Sequence, residues 1–286
     1  MSAAAKHYCT VPLLANIRLS AEVFRLDFAW PGGTAAPRAG QFFMLKPLRS
    51  GSFLARPISV YRWDDTCVSF LVLQKGRGTL ELGQLREGEV LALTGPLGNC
   101  WADFFTLGPV ATAPATAHKP VALIGGGIGI APLIALGDEL SAGETPAPQT
   151  FDLYAGFRSA PFGLDKLPAK TGKLVIASED GSEGRKGRIP DFVDYQNYAV
   201  VFACGPTPML KAVAEKSNAA GVPCYISMEA RMACGAGACL GCTITTTTGN
   251  RRCCADGPIF PAEEVIFAET AIRLDGPIFP AEEVLF

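Results

Sequence analysis

The chain has 286 residues, 49% hydrophobic and 18% charged, with a formal net charge of -2; that length suits two or three compact domains, and the composition is that of a folded protein rather than a disordered one. The charge balance offers no dense basic patch for nucleic acid, and the longest apolar stretch, Val121–Leu136, is interrupted by glycines and Pro132 and is too short for a membrane span. The N-terminal segment MSAAAKHYCT lacks the apolar core of a signal peptide, so the expectation is a soluble cytoplasmic protein with neither nucleic acid nor membrane as partner.

Residues 8–108 read as all-β. Short alternating runs such as Val23–Phe28 are punctuated by turn signals at Pro31-Gly32-Gly33, Gly51-Ser52, Trp63-Asp64-Asp65 and Glu87-Gly88-Glu89. Such spacing predicts a barrel or sandwich, with one short helix over Gly78–Leu85. The segment GPVATAPATAHKP, beginning at Gly108, reads as a linker. Strands at Pro120–Gly125, Phe151–Phe157, Lys173–Ser178 and Ala199–Cys204, with helices at Ala131–Ser141 and Pro208–Ala220, then predict a doubly wound parallel sheet. From Ser227 the chain becomes Cys-rich and reads as a third unit. The expected domains are therefore 1–108, 117–226 and 227–286. Within the last, DGPIFPAEEVIF (256–267) is followed by DGPIFPAEEVLF (275–286), a tandem copy too short for a solenoid.

Five of the ten cysteines lie between Cys234 and Cys254, and clustering of this kind favours a metal site over a disulfide framework. The pattern Cys234-x4-Cys239-x2-Cys242 matches plant-type 2Fe-2S spacing. Thiolates are soft anionic ligands suited to iron, and Gly235, Gly237 and Gly241 let the loop wrap closely with N–H groups free to point at sulfur. A structural zinc site normally pairs two C-x2-C knuckles, and only one is present. The fourth ligand is open between the adjacent Cys253 and Cys254. A second signal, Gly125-Gly126-Gly127-Ile128-Gly129, follows an apolar strand and opens a helix, where a pyrophosphate can rest on free N–H groups; alone, it also describes a tight turn without ligand. The third, Arg56-Pro57-Ile58-Ser59 followed by Lys75-Gly76-Arg77-Gly78-Thr79, offers a phosphate-pairing guanidinium and a glycine-lined helix start.

In that order, RPIS, KGRGT, GPLGN (95–99), GGGIGIAPL (125–133) and ACGPTPML (203–210) resemble the ferredoxin–NADP reductase superfamily. The tail EARMACGAGACLGC…CADGPIF is similar to the electron-transfer subunits of B-type dihydroorotate dehydrogenase. The resemblance runs to about Phe267 and implies an FAD-binding β-barrel, a nucleotide-binding domain and a small 2Fe-2S domain. It implies that Arg56, Pro57, Ile58 and Ser59 contact the flavin and its phosphates. Leu73, Gln74 and Lys75 would line the isoalloxazine, and Gly78 and Thr79 would hold the FAD pyrophosphate. Gly125, Gly126, Gly127 and Gly129 would frame NAD(H) with Gly205 and Pro206. Cys204 would lie near the hydride path, although a buried strand-end thiol explains it equally well. Cys234, Cys239, Cys242 and Cys254 would bind the cluster, since the family runs Cys-x-Asp-Gly-Pro at the last.

The implied partner is an FMN-containing dihydroorotate dehydrogenase catalytic subunit, two of each chain. Electrons from dihydroorotate oxidation would pass through the cluster and FAD to NAD+. A flavin belongs between cluster and nicotinamide because it exchanges both hydride and single electrons. Two alternatives stand beside this reading. One is the small subunit of an NADH-dependent ferredoxin:NADP oxidoreductase or sulfide dehydrogenase, which typically has Asp at the position of Cys234. The other is a non-catalytic redox-sensing module, against which the intact motifs argue. Choice of nucleotide stays open, because Arg158 follows the second strand of the α/β unit while Glu179 and Asp180 follow the third.

Overall fold

The computed structural model describes residues 7–30, 36–48, 51, 53–107, 119–144 and 150–267. The turn signal at Pro31-Gly32-Gly33, Ser52, most of the linker and the second copy of the tail repeat lie outside the described residues. The first unit is a closed antiparallel barrel of β1 (His7–Arg18), β2 (Val23–Ala29), β3 (Phe42–Pro47), β4 (Arg56–Trp63), β5 (Cys67–Leu73) and β6 (Val90–Leu97), in the order β1-β2-β5-β4-β3-β6. Alternation along each strand sends Leu26, Phe28, Phe43, Val60 and Phe70 into the barrel core. Closure leaves no open edge. Two short helices, α1 (Arg77–Gly83) and α2 (Asp103–Leu107), lie between β5 and β6 and after β6.

The second unit carries β7 (Val121–Gly126), α3 (Ile130–Ala142), β8 (Phe151–Phe157), β9 (Thr171–Ser178), β10 (Arg185–Lys186), β11 (Val200–Cys204), α4 (Thr207–Ala219) and β12 (Cys224–Ser227). Every residue of β7 is buried, as expected of a strand covered on both faces and apolar throughout. Leu123 and Phe202 point to the side packed by α3, and Ala122, Ile124 and Val201 to the side packed by Leu210 and Val213 of α4. The sheet order is β10-β9-β8-β7-β11-β12, with β15 (Ile259–Pro261) added beyond β12. The chain winds outward from β7 to β10, then crosses to β11 on β7's other side, which places a topological switch point between β7 and β11.

The tail is woven into both units. After the hairpin β13 (Thr243–Thr246) and β14 (Gly249–Arg252), β15 (Ile259–Pro261) pairs antiparallel with β12 and covers the sheet edge. Asn99, just after β6, clamps it: the Asn99 side-chain amide donates to the Ile259 carbonyl (2.8 Å), and the Ile259 N–H donates to Asn99 Oδ1 (3.0 Å). Barrel and sheet also meet directly. Arg62 pairs with Asp138 (2.8 Å), the Tyr61 hydroxyl donates to the Gly163 carbonyl (3.1 Å), and the Ala39 N–H donates to Glu139 Oε1 (2.7 Å). No helix among the described residues is long and apolar enough to cross a membrane.

Candidate cofactor sites

Arg56 opens β4, and its Nη1 donates to the Leu54 carbonyl (2.6 Å). Its guanidinium lies against Gly78 in the first turn of α1, so closely that a Cβ on Gly78 would overlap it. An alanine there would oblige the guanidinium to shift. Thr79 fixes the start of α1: its Oγ1 accepts from the N–H groups of Lys75 (2.9 Å) and Gly76 (3.2 Å) and donates to the Gly76 carbonyl (3.0 Å). A fixed cation thus stands over a helix start, whose first N–H groups have no intrahelical partner. Pro57 lies opposite Met44 and Ser59 opposite Phe42, on β3. Ile58 packs partly into the barrel core, Leu73 is half-buried, Lys75 is exposed, and Gln74 rests against Gly83 of α1.

At the switch point, the turn Gly125–Gly129 and the turn Cys204–Pro206 pack backbone to backbone. A Cβ on Gly129 would overlap the Cys204 carbonyl, and one on Gly205 would meet Met209 at 2.6 Å and Gly126 at 3.0 Å. Gly127 is at the open tip, with nothing within 4 Å of where its Cβ would be. This crevice at the carboxyl ends of parallel strands is where nucleotides bind in open α/β sheets. Cys204 is buried, and burial pushes its pKa to about 12. It is therefore a neutral thiol at physiological pH.

In the cysteine loop the thiols lie as two neighbouring pairs, Cys234 near Cys239 and Cys242 near Cys254. Backbone N–H groups point at sulfur: Ala236 (3.4 Å) and Cys239 (3.5 Å) at Cys234, and Gly237 (3.1 Å) at Cys254. The first two lower the Cys234 pKa to about 6, whereas burial, followed by the neighbouring Cys242, raises that of Cys254 to about 11. Cys253 is fully buried in the core shared with Ile226 and Phe260, and burial pushes its thiol to about 12. Among the described residues no three His, Cys, Asp or Glu side chains converge as a mononuclear ion requires. Two pairs of thiols with N–H groups aimed at sulfur suit a two-iron cluster, in which each iron takes two thiolates.

Sequence reasoning missed the brace of this loop. Arg252 pairs bidentately with Asp256 (Nε–Oδ2 and Nη2–Oδ1, both 3.0 Å), and its Nη1 donates to the Gly237 carbonyl (3.2 Å). An Arg four residues before an Asp, flanking two cysteines, was the available signal.

The closed barrel, the switch-point crevice and the cysteine loop together define a reductase of the ferredoxin–NADP reductase fold with an iron–sulfur domain. The structure of an NADH-dependent reduced ferredoxin–NADP oxidoreductase, which concerns flavin-based electron bifurcation, superposes with a TM-score of 0.75 at 26% identity, over 90% of this chain and 89% of that one. A ferredoxin NADP+ reductase from Neisseria gonorrhoeae shares the fold, with a TM-score of 0.57 at 17% identity over 75% of this chain and 92% of that one.

The chain belongs to the family of electron-transfer subunits of dihydroorotate dehydrogenase B (NAD(+)). It is 38% identical to that subunit from Caldanaerobacter subterraneus subsp. tengcongensis over 89% of this chain and 97% of the relative. To the subunit from Clostridium acetobutylicum it is 36% identical, over 91% and 97%. Residues 229–266 match the iron–sulfur cluster binding domain of dihydroorotate dehydrogenase B. The chain is accordingly an oxidoreductase subunit that works by electron transfer.

Proposed function

We propose that this chain is the NAD-linked half of a cytoplasmic dihydroorotate dehydrogenase complex. Its partner, an FMN-bearing catalytic subunit present in equal number in a heterotetramer, would oxidise dihydroorotate to orotate for pyrimidine biosynthesis. The observation that carries this reading is the seat of the cysteine loop on the barrel. Gly235 packs on Met44 of β3 and Leu97 of β6, and Met44 lies opposite Pro57, next to Arg56. The thiols are thus one strand away from the residues that suit a flavin.

When bound, FAD supplies hydride exchange with nicotinamide and one-electron exchange with a 2Fe-2S cluster. Arg56 supplies a fixed positive charge for its phosphates, and Gly78 leaves room for that guanidinium against the start of α1. Thr79 holds the α1 start in the shape that presents N–H groups to the pyrophosphate. Gly125–Gly129, Gly205 and Pro206 leave a side-chain-free floor for the nicotinamide nucleotide, and Cys204 borders it as a buried thiol. Cys234, Cys239, Cys242 and Cys254 would hold the cluster, while Arg252 and Asp256 lock the loop that carries them. No group of this chain is assigned to dihydroorotate.

The isolated chain should therefore reduce a dye with NADH but should not oxidise dihydroorotate. A steady-state assay with each donor tests this, and dihydroorotate oxidation by the chain alone would sink the proposal.

A further inference from the structure

We propose that Arg252 is a positioning residue that raises the reduction potential of the iron–sulfur site, by holding the Gly237 N–H on the sulfur of Cys254. The inference rests on the cluster reading of the cysteine loop. Three backbone N–H groups of that loop aim at sulfur, and they are not equivalent. Those of Ala236 and Cys239 reach Cys234 at 3.4 and 3.5 Å in exposed positions, whereas that of Gly237 reaches Cys254 at 3.1 Å with both residues buried. A hydrogen bond shielded from water is electrostatically stronger, and hydrogen bonds to the ligand sulfurs are among the levers that set a cluster's potential. Each such bond stabilises the added electron and so favours the reduced form.

Arg252 fixes both ends of that contact. On the sulfur side, its carbonyl accepts from the N–H groups of Ala255 (3.1 Å) and Asp256 (2.8 Å), and its N–H donates to Asp256 Oδ2 (2.8 Å), which closes the turn that carries Cys254. On the donor side, its Nη1 donates to the Gly237 carbonyl (3.2 Å), while Nε and Nη2 are held by the Asp256 carboxylate. Gly237 has a left-handed φ of 83°, and a Cβ there would come within 2.9 Å of the Ala255 Cβ, so the two segments sit at a separation that glycine permits. One planar guanidinium thus serves two carboxylate oxygens and a carbonyl at once, which the single ammonium of a lysine cannot reproduce. Because Asp256 neutralises Arg252, the arginine acts on the cluster through where it holds Gly237 and not through its charge. The neighbouring Arg251 provides the contrast: it is exposed, and its Nη2 donates to Thr248 Oγ1 (3.5 Å).

The test is a redox titration of the full, FAD-loaded chain, with the reduced cluster followed by EPR and with iron and flavin per chain as checks on assembly. Arg252→Lys keeps the charge but loses the fork. It should shift the ratio of reduced to oxidised cluster roughly tenfold toward oxidised, the scale of one hydrogen bond to a charged acceptor, which lowers the midpoint by about 59 mV for one electron. Asp256→Asn removes a negative charge, so an effect of charge alone would raise the potential, whereas loss of the clamp should lower it. Arg251→Gln removes a positive charge without touching the brace and should leave the potential in place, because an exposed charge is screened. A wild-type potential in Arg252→Lys, a rise in Asp256→Asn, or an equal fall in Arg251→Gln overturns the proposal. So does loss of iron from both Arg252→Lys and Asp256→Asn, since the brace would then serve assembly. A wild type without a reducible iron centre would overturn the cluster reading itself, and with it this inference.

Discussion

Replacing Glu139 with Gln should flatten the dependence of stability on pH between about 5 and 7. Glu139 lies on α3 with its side chain 5% exposed; Oε1 accepts from the Ala39 N–H of the barrel unit, and Oε2 has no partner. Burial raises its pKa to about 7, opposed by the Ala39 hydrogen bond and by Arg38, and assisted by Glu144 and Asp103. Below its ordinary value of 4.5 the acid is protonated both folded and unfolded, and its contribution to stability is fully present. As pH rises toward 7 the unfolded chain releases the proton first, so the folded state binds more protons and stability falls. At about 1.4 kcal/mol per pH unit the loss amounts to about 3 kcal/mol, and screening removes little of it at such low exposure.

Gln keeps the acceptor for Ala39 and cannot ionise. Glu139→Gln should therefore match wild type near pH 4.5 and exceed it by up to about 3 kcal/mol above pH 7. Urea unfolding of the holoprotein at a series of pH values measures this. Parallel pH profiles for the two proteins would refute the reasoning, because they would mean that Glu139 ionises as freely when folded as when unfolded.

Gly78→Ala should displace the Arg56 guanidinium and reduce flavin per chain after gel filtration. Arg56→Ala should do the same through loss of a charge-assisted contact of about 1.5–3 kcal/mol. Cys254→Ser should lose iron while retaining flavin. Cys253→Ser should retain iron and cost about 1–3 kcal/mol in urea unfolding for a hydroxyl in an apolar site; iron analysis that gives the reverse moves the fourth ligand by one residue. A chain ended after Phe267 should keep its iron content, visible spectrum and NADH–dye rate, because the second repeat has Arg273 where the first has Cys254.

What could be read in advance was local. Val121–Gly126 declares itself a strand because burial on both faces demands an unbroken apolar run, and Ile130–Ala142 follows the glycine turn as a helix within a residue at each end. The cysteine spacing and the glycine turns mark their chemistry because a few neighbouring residues suffice for it. The rest depended on distant contacts. Nothing near Ile259 shows that it would join β12 as an edge strand and be clamped by Asn99, 160 residues earlier. Glu139 looks like an ordinary polar position on a helix, and its partner Ala39 is 100 residues away. The adjacent Cys253 and Cys254 are separated only by folding, which turns one thiol into the core and the other toward the Gly237 N–H.

On this reading electrons cross this chain by way of its cysteine loop. It is tested by dihydroorotate-dependent NAD+ reduction by the complex reconstituted anaerobically with the proposed FMN-bearing partner, comparing wild type with Cys254→Ser. The wild-type complex should reduce NAD+. The variant complex should still bleach the partner's FMN with dihydroorotate and still reduce dye with NADH, yet form no NADH. NAD+ reduction by the variant at the wild-type rate would contradict it.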